Sequence, residues 1–417
     1  MTAIRQRRLA LLATIVLAVV GCGGAPIVAN APAQRPVASL QAKPSAVAVA
    51  DPQPVVLPRD DGAHRRLTEW WYYTGHLRDG SGGRWGFEFV IFRAERGRFA
   101  VSWASHLALT DETGNRFLYG QRSEIGPQVD RRGAALAVGG GTATPAPAAD
   151  PPGPRAGTAF DLAIRGLDPS RPATLELPAW EMRGGDGRDR LTAAMAPAEA
   201  AATGVPGGLG IDLSLVSAKP PALHDRDGWI DFGPAGGSYY YSRTSMAATG
   251  SITIDGRTLE VDGTAWFDHQ WGDFIAIGGG GWDWFAVNLD DGTDITLSLV
   301  RDRDGSYPLV YGTLVSADGR TRHLPREAFT VDVTRHWQSP RSGADYPAGW
   351  RISLPAERLT IELEPTVADQ ELDTRETTGV VYWEGSQRVR AIRDGRPVGG
   401  QAYVELTGYG GGQVAAR

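Results

Sequence analysis

Along most of this chain apolar and polar residues alternate with a period of two, the signature of half-buried β-strands. Trp85, Phe87, Phe89 and Ile91 share one side of an extended segment. Val101, Trp103 and Ser105 open a second, which runs on into His106-Leu107-Ala108-Leu109. The pattern resumes at 160–164 and 210–215. The clearest hairpin sets Ile252 and Ile254 against Leu259 and Val261 across Asp255-Gly256, a pair that suits tight turns because Gly tolerates positive φ. Further strands are predicted at 295–300, 309–315, 329–333, 351–354, 359–363, 380–383 and 402–406.

One strand pattern occurs twice. Glu69-Trp70-Trp71-Tyr72-Tyr73-Thr74-Gly75-His76-Leu77 runs into an Asp79-Gly80 turn, and Trp282-Asp283-Trp284-Phe285-Ala286-Val287-Asn288-Leu289 runs into Asp291-Gly292. Each is followed by an apolar strand ending in Arg, at Arg93 and Arg301. The repeat predicts two related β-domains, and the strand count suits a barrel or a sandwich in each half. The boundary is expected near 243–250, giving an N-terminal domain over 59–245 and a C-terminal domain over 246–412.

Composition agrees. The 417 residues include 54 Gly and 28 Pro, high for a helical protein and ordinary for a turn-rich β protein. A net charge of -6 and the lack of a basic patch with interleaved aromatics argue against nucleic acid. The first 22 residues read as an export signal. Arg5, Arg7 and Arg8 precede an apolar run too short to span a bilayer, and Val19-Val20-Gly21-Cys22 resembles a lipobox. Cys22 is the only Cys, so a lipid anchor to the cell membrane is expected and an internal disulfide is excluded. Residues 23–58, rich in Ala, Pro and Val, read as a tether.

Trp266-Phe267-Asp268-His269-Gln270-Trp271-Gly272 places an acid and an imidazole among indoles. A carboxyl kept neutral by apolar surroundings can donate a proton, and an indole face can stabilise a nearby cation. These are the parts needed to protonate an alkene and hold the cation until water adds; a structural strand end with a packed core would look similar. Glu69 can line a pocket or bind a neighbouring N–H. His76 and His106 lie on different strands, and a metal would need a third ligand; no metal is expected, for want of any HxH, HExxH or Cys-His spacing. His224 and His336 fall in loop-like contexts and read as solvated. A nucleophile elbow and a phosphate-binding loop are absent.

The aromatic string from Glu69 to Leu77 resembles the opening of the lipocalin-like carotenoid 1,2-hydratase and AttH-like family. Further matches follow in the family's order. They include Ser105-His106-Leu107-Ala108-Leu109, Lys219-Pro220, Tyr240-Tyr241-Ser242, Gly263 to Gly272, Tyr382-Trp383-Glu384-Gly385 and Ala402 to Tyr409. The resemblance implies an all-β chain of two lipocalin-like antiparallel domains packed side by side, with a pocket in or between them. It implies hydration of a terminal isoprenoid double bond without a cofactor, with Asp268 as proton donor. Gln270 stands where the family motif commonly has Glu.

On this reading Asp268 protonates the alkene, and His269 or its bound water directs the hydroxyl. Trp266 and Trp271 face the cation, and Trp70, Trp71, Tyr72, His106 and Tyr240 line the ligand site. The partner is a hydrophobic isoprenoid or lipid-like molecule. The alternative is a non-catalytic carrier of such molecules at the cell envelope.

Overall fold

Alternating side chains pair into antiparallel strands throughout the computed structural model. It describes residues 51–133, 158–166, 177–197, 199–200, 204–205, 207–274 and 280–410. The export signal, Cys22 and most of the tether lie outside the described residues. The first half contributes β1 (Thr68–Asp79), β2 (Arg84–Ala94), β3 (Ser102–Asp111), β4 (Arg116–Ile125), β5 (Phe160–Ile164), β6 (Trp180–Gly185), β7 (Arg188–Ala194) and β8 (Leu209–Ser217). The short β9 (Ala222–Leu223) and β10 (Trp229–Asp231) precede two long strands, β11 (Gly237–Ile254) and β12 (Arg257–Gly272). The second half contributes β13 (Gly281–Leu289), β14 (Asp294–Arg301), β15 (Leu309–Val315), β16 (Thr321–Pro325) and β17 (Thr330–Val333). After the two-stranded ribbon of β18 (His336–Gln338) and β19 (Asp345–Pro347) come β20 (Trp350–Leu354), β21 (Leu359–Pro365) and β22 (Glu371–Asp373). The chain ends with β23 (Val381–Arg393), β24 (Arg396–Val398) and β25 (Gly400–Leu406).

Two curled sheets result, each wrapped around its own apolar core. The first runs β4-β3-β2-β1-β12-β11-β8-β7-β6-β5, and the second β16-β15-β14-β13-β25-β23-β21-β20-β17. The orders correspond. In each sheet a four-strand meander meets the sheet's last strand along its first member, and the long strand that precedes it, β11 or β23, lies beyond. The repeat in sequence is thus a repeat in topology, with Tyr72 opposite Asp268 on β12 and Trp284 opposite Glu405 on β25.

The first sheet crosses the expected domain boundary. β11 is one strand from Gly237 to Ile254, with a register shift between Arg243 and Met246, and β12 pairs with β1 along its length. Strand pairing therefore puts 246–272 with the first half, and the sheets change over after Gly272. The Asp255-Gly256 hairpin forms as expected, both turn residues having positive φ of 51° and 72°.

Part of the expected tether is docked. Asp51 bonds Arg66 and Tyr239, and Val55 and Leu57 pack against the first core. Glu69, fully buried, anchors the following turn. It accepts from the His64 backbone N–H at 2.9 Å, bonds His64 Nδ1 at 2.7 Å, and bonds His269 Nε2 at 3.1 Å. The carboxylates of Asp60 and Glu69 hold the His64 imidazole above its ordinary pKa against the effect of burial, and bonds from His269 and His64 hold Glu69 low. Removing one partner of a buried pair typically costs about 3–5 kcal/mol. Glu69→Gln is expected to lower unfolding stability by roughly that amount, read from the shift of the urea midpoint at constant m-value.

Candidate active site

On a β-strand, neighbouring side chains point to opposite faces. On β12 this rule divides the aromatic motif in two. Trp266, Asp268 and Gln270 face the second sheet, whereas Phe267, His269 and Trp271 face the first core. The expected partnership of Asp268 with His269 is not formed. His269 stacks between Trp71 and Trp271, each 4.7 Å away between ring centres, and bonds Glu69. Trp71 and Trp271, expected at the ligand, are core residues on that same side. His64, Glu69 and His269 lie near enough to one another to be considered as metal ligands. Their mutual hydrogen bonds already occupy the Glu69 carboxylate, so the cluster reads as a structural anchor.

The seam between the sheets is the remaining side. Tyr72, Val90 and Trp266 pack there against Trp284, Ala286 and Tyr403. Beside this cluster lie two adjoining chambers that share Trp70, Phe92, Tyr240, Gln270 and Trp282. The first, about 60 Å³, has walls from Trp70, Phe92, Phe232, Phe274, Trp282 and Tyr311. The second, about 50 Å³, adds Tyr72, Trp284 and Tyr382 together with four carboxyl groups: Glu88, Asp268, Glu384 and Glu405. Neither chamber is lined by Arg, Lys or His among the described residues. Of the expected ligand residues, Trp70, Tyr72, Tyr240 and Asp268 line these chambers. Trp266 and His106 stand directly behind the walls, bonding Asp268 and Tyr382.

Asp268 is buried and held by three donors. Trp266 Nε1 donates to Oδ1 at 2.7 Å, Ser242 Oγ donates to the same oxygen, and Tyr240 Oη donates to Oδ2 at 2.5 Å. Trp284 Nε1 reaches across the seam to Tyr240 Oη at 3.0 Å, so the second sheet orients a donor belonging to the first. Burial pushes the Asp268 carboxyl from 3.8 up to about 6, the donors pulling the other way. The shift costs the ionised form about 3 kcal/mol.

The opposite wall carries carboxyls that the sequence reading did not single out. Tyr72 Oη bonds Glu384, and Tyr382 Oη lies 3.0 Å from Glu88 Oε1. Glu88 and Glu384 lie close enough to perturb each other, and Glu88 Oε2 has no hydrogen-bond partner of its own. Burial raises both well above the usual carboxylate range, and Glu405 reaches about 7 for the same reason. Glu384 and Glu405 sit inside the family-like strings, and Glu88 interrupts an apolar strand between Phe87 and Phe89. His224, expected to be solvated, is buried behind Asp268. It bonds Ser242 Oγ at 2.7 Å and Thr313 Oγ1, on the second sheet, at 2.8 Å.

Comparison with known proteins agrees with this architecture. An AttH-like protein of Nitrosomonas europaea has a similar structure, with a TM-score of 0.66 and 28% identity over 87% of this chain and 98% of that one. Kievitone hydratase from Nectria haematococca is similar in fold, with a TM-score of 0.58 and 15% identity over 85% and 93% of the two chains. The search of curated proteins finds no match. The AttH-like family model matches residues 48–139 and 162–409, which is most of the sequence, and the chain belongs to that family.

Proposed function

We propose that the seam between the two sheets is the active site of a cofactor-independent hydro-lyase, which adds water to a carbon–carbon double bond of an apolar, isoprenoid-like ligand. The observation that carries this reading is Asp268, a buried carboxyl with a raised pKa in the wall of a chamber that it shares with Trp70, Trp282 and Trp284. Hydration of an alkene needs a proton delivered to one carbon, a cation tolerated at the next, and a water deprotonated as it attacks. Asp268 exchanges a proton with the reacting atoms. The faces of Trp70, Trp282 and Trp284 stabilise the cation. The adjoining chamber, walled by aromatic rings, is the place for the apolar part of the ligand nearest the reacting carbons. The fold also serves a protein named as a hydratase in Nectria haematococca.

The same proposal places the protein outside the cytoplasm, anchored through an acylated Cys22. Cys22→Ala is expected to abolish incorporation of labelled palmitate and to release the protein from the membrane fraction; unchanged labelling would remove the anchor from the proposal.

Asp268→Asn keeps the shape of the site and removes its titrating proton. Lycopene and neurosporene are the test substrates. Turnover is expected to fall about 10²–10⁴-fold, the usual worth of a general acid or base. Ligand affinity, followed by quenching of tryptophan fluorescence, is expected to hold. A wild-type protein that returns these ligands chemically unaltered is instead a carrier.

A further inference from the structure

The polarity of one hydrogen-bond chain fixes where a proton sits. The chain begins at Gln121, whose Nε2 donates to the backbone carbonyl of Asp373 at 3.0 Å. A carbonyl can only accept, so the amide's orientation is set and its Oε1 faces Thr377 Oγ1 at 2.7 Å. Thr377 must spend its single hydroxyl proton there. His106 Nε2, 3.1 Å from the same hydroxyl, must then be the N–H that donates to it. Burial pushes His106 down to about 3, so the ring is neutral and its Nδ1 is a bare acceptor. Tyr382 Oη, 2.7 Å away, donates to that nitrogen. Its proton is now used. The 3.0 Å contact between Tyr382 Oη and Glu88 Oε1 closes as a hydrogen bond only when Glu88 brings the proton.

Asp268 shows the opposite polarity. The Trp266 N–H cannot do otherwise than donate to it, and the Trp284 N–H occupies Tyr240 Oη so that this hydroxyl turns its proton toward the carboxylate. One acid of the chamber is thus built to be neutral and the other to be charged, on two walls of the same cavity.

We propose that Glu88 is the general acid of this site, entering the chamber with its proton and passing it to the alkene, while the Asp268 carboxylate takes the proton released by the attacking water. The inference rests on the hydratase reading of the seam and reverses the role first expected of Asp268. In the first step the O–H bond of Glu88 breaks and a C–H bond forms, leaving the neighbouring carbon cationic. Water oxygen then bonds that carbon, and one of its protons moves to Asp268. Return of that proton to Glu88 through chamber water restores the starting state, so the net change is alkene plus water to alcohol. The new Glu88 carboxylate is met by the Tyr382 hydroxyl, which turns from His106.

The test joins a spectroscopic measurement to a kinetic one. At neutral pH the wild-type chain is expected to show the infrared band of a protonated carboxyl that Glu88→Gln weakens and Asp268→Asn leaves in place. Glu384, Glu405, Tyr72, Tyr382 and His106 face Glu88 from the neighbouring strands, so the variant difference spectrum, not the absolute band, assigns it. Glu88→Gln, which can donate to Tyr382 as a neutral Glu does, is expected to fold and to lose about 10²–10⁴ in kcat with KM little changed. The wild-type rate should rise as Asp268 ionises near pH 6 and fall above neutrality as Glu88 loses its proton. An unchanged infrared spectrum in Glu88→Gln, or wild-type kcat in that variant, overturns the assignment. A Glu88 band in a protein that hydrates no alkene overturns the hydratase reading and leaves the protonation state established.

Discussion

A carboxyl group taken out of water must find a cation, a set of donors or a proton. The seam of this protein offers no cation among the residues that line it, and that absence governs its chemistry. Asp268 takes the second option, with three donors. Glu88 and Glu384 take the third. The first core, by contrast, resolves the same problem with pairs, as Glu69 does with its two histidines and Asp61 with Arg243. Acids kept from pairing in one region, while paired nearby, mark that region as a candidate site for proton exchange.

The duplicated topology explains how four acids come together. Each sheet turns the same surface of its first strand and its last strand toward the seam. Tyr72 and Trp284 occupy corresponding places, as do Asp268 and Glu405, and Tyr240 and Tyr382. The duplicated aromatic strands therefore meet face to face. Divergence then distinguishes the walls. Ser242 stands opposite Asp268 where Glu384 stands opposite Glu405, so one wall received a hydroxyl donor and the other a second acid. The cross-seam bonds, Trp284 to Tyr240 and Tyr72 to Glu384, are corresponding reaches in opposite directions. Each sheet thus reaches the other's polar cluster through one aromatic side chain.

Most strands were legible because a period of two needs only local sequence. The segments expected at 295–300, 309–315, 329–333, 351–354, 359–363 and 402–406 coincide with β14, β15, β17, β20, β21 and β25. The boundary was misplaced for a local reason too. Residues 243–250 look like a linker because they are small and polar, yet small size is what close strand pairing demands there. A Cβ on Gly250 would stand 2.0 Å from the Asp212 carbonyl oxygen. Asp268 was legible as an acid among indoles. Its separation from His269 follows from strand alternation alone, which the adjacency of the two in sequence obscured. Glu384 meets Tyr72 over 312 positions, and the His106 to Tyr382 bond spans 276. Pairings of that kind depend on how the two sheets dock, and a single sequence carries no local signal of it.

Aromatic walls by themselves would suit a carrier as well as an enzyme, since both need apolar area and a way in. Four carboxyl groups would not. A carrier of neutral hydrocarbon gains nothing from acids buried against its cargo, and bears the cost of desolvating them whether the site is filled or empty. That cost is recovered only if positive charge appears in the chamber during the working cycle, because the carboxyls and the indole faces then act on the same ion in a medium of low dielectric. An alkene accepting a proton generates such a charge for the duration of the reaction and at no other time. On the proposed reading the seam is complementary to a transient cation and indifferent to the neutral molecule on either side of it, which is the asymmetry that catalysis requires.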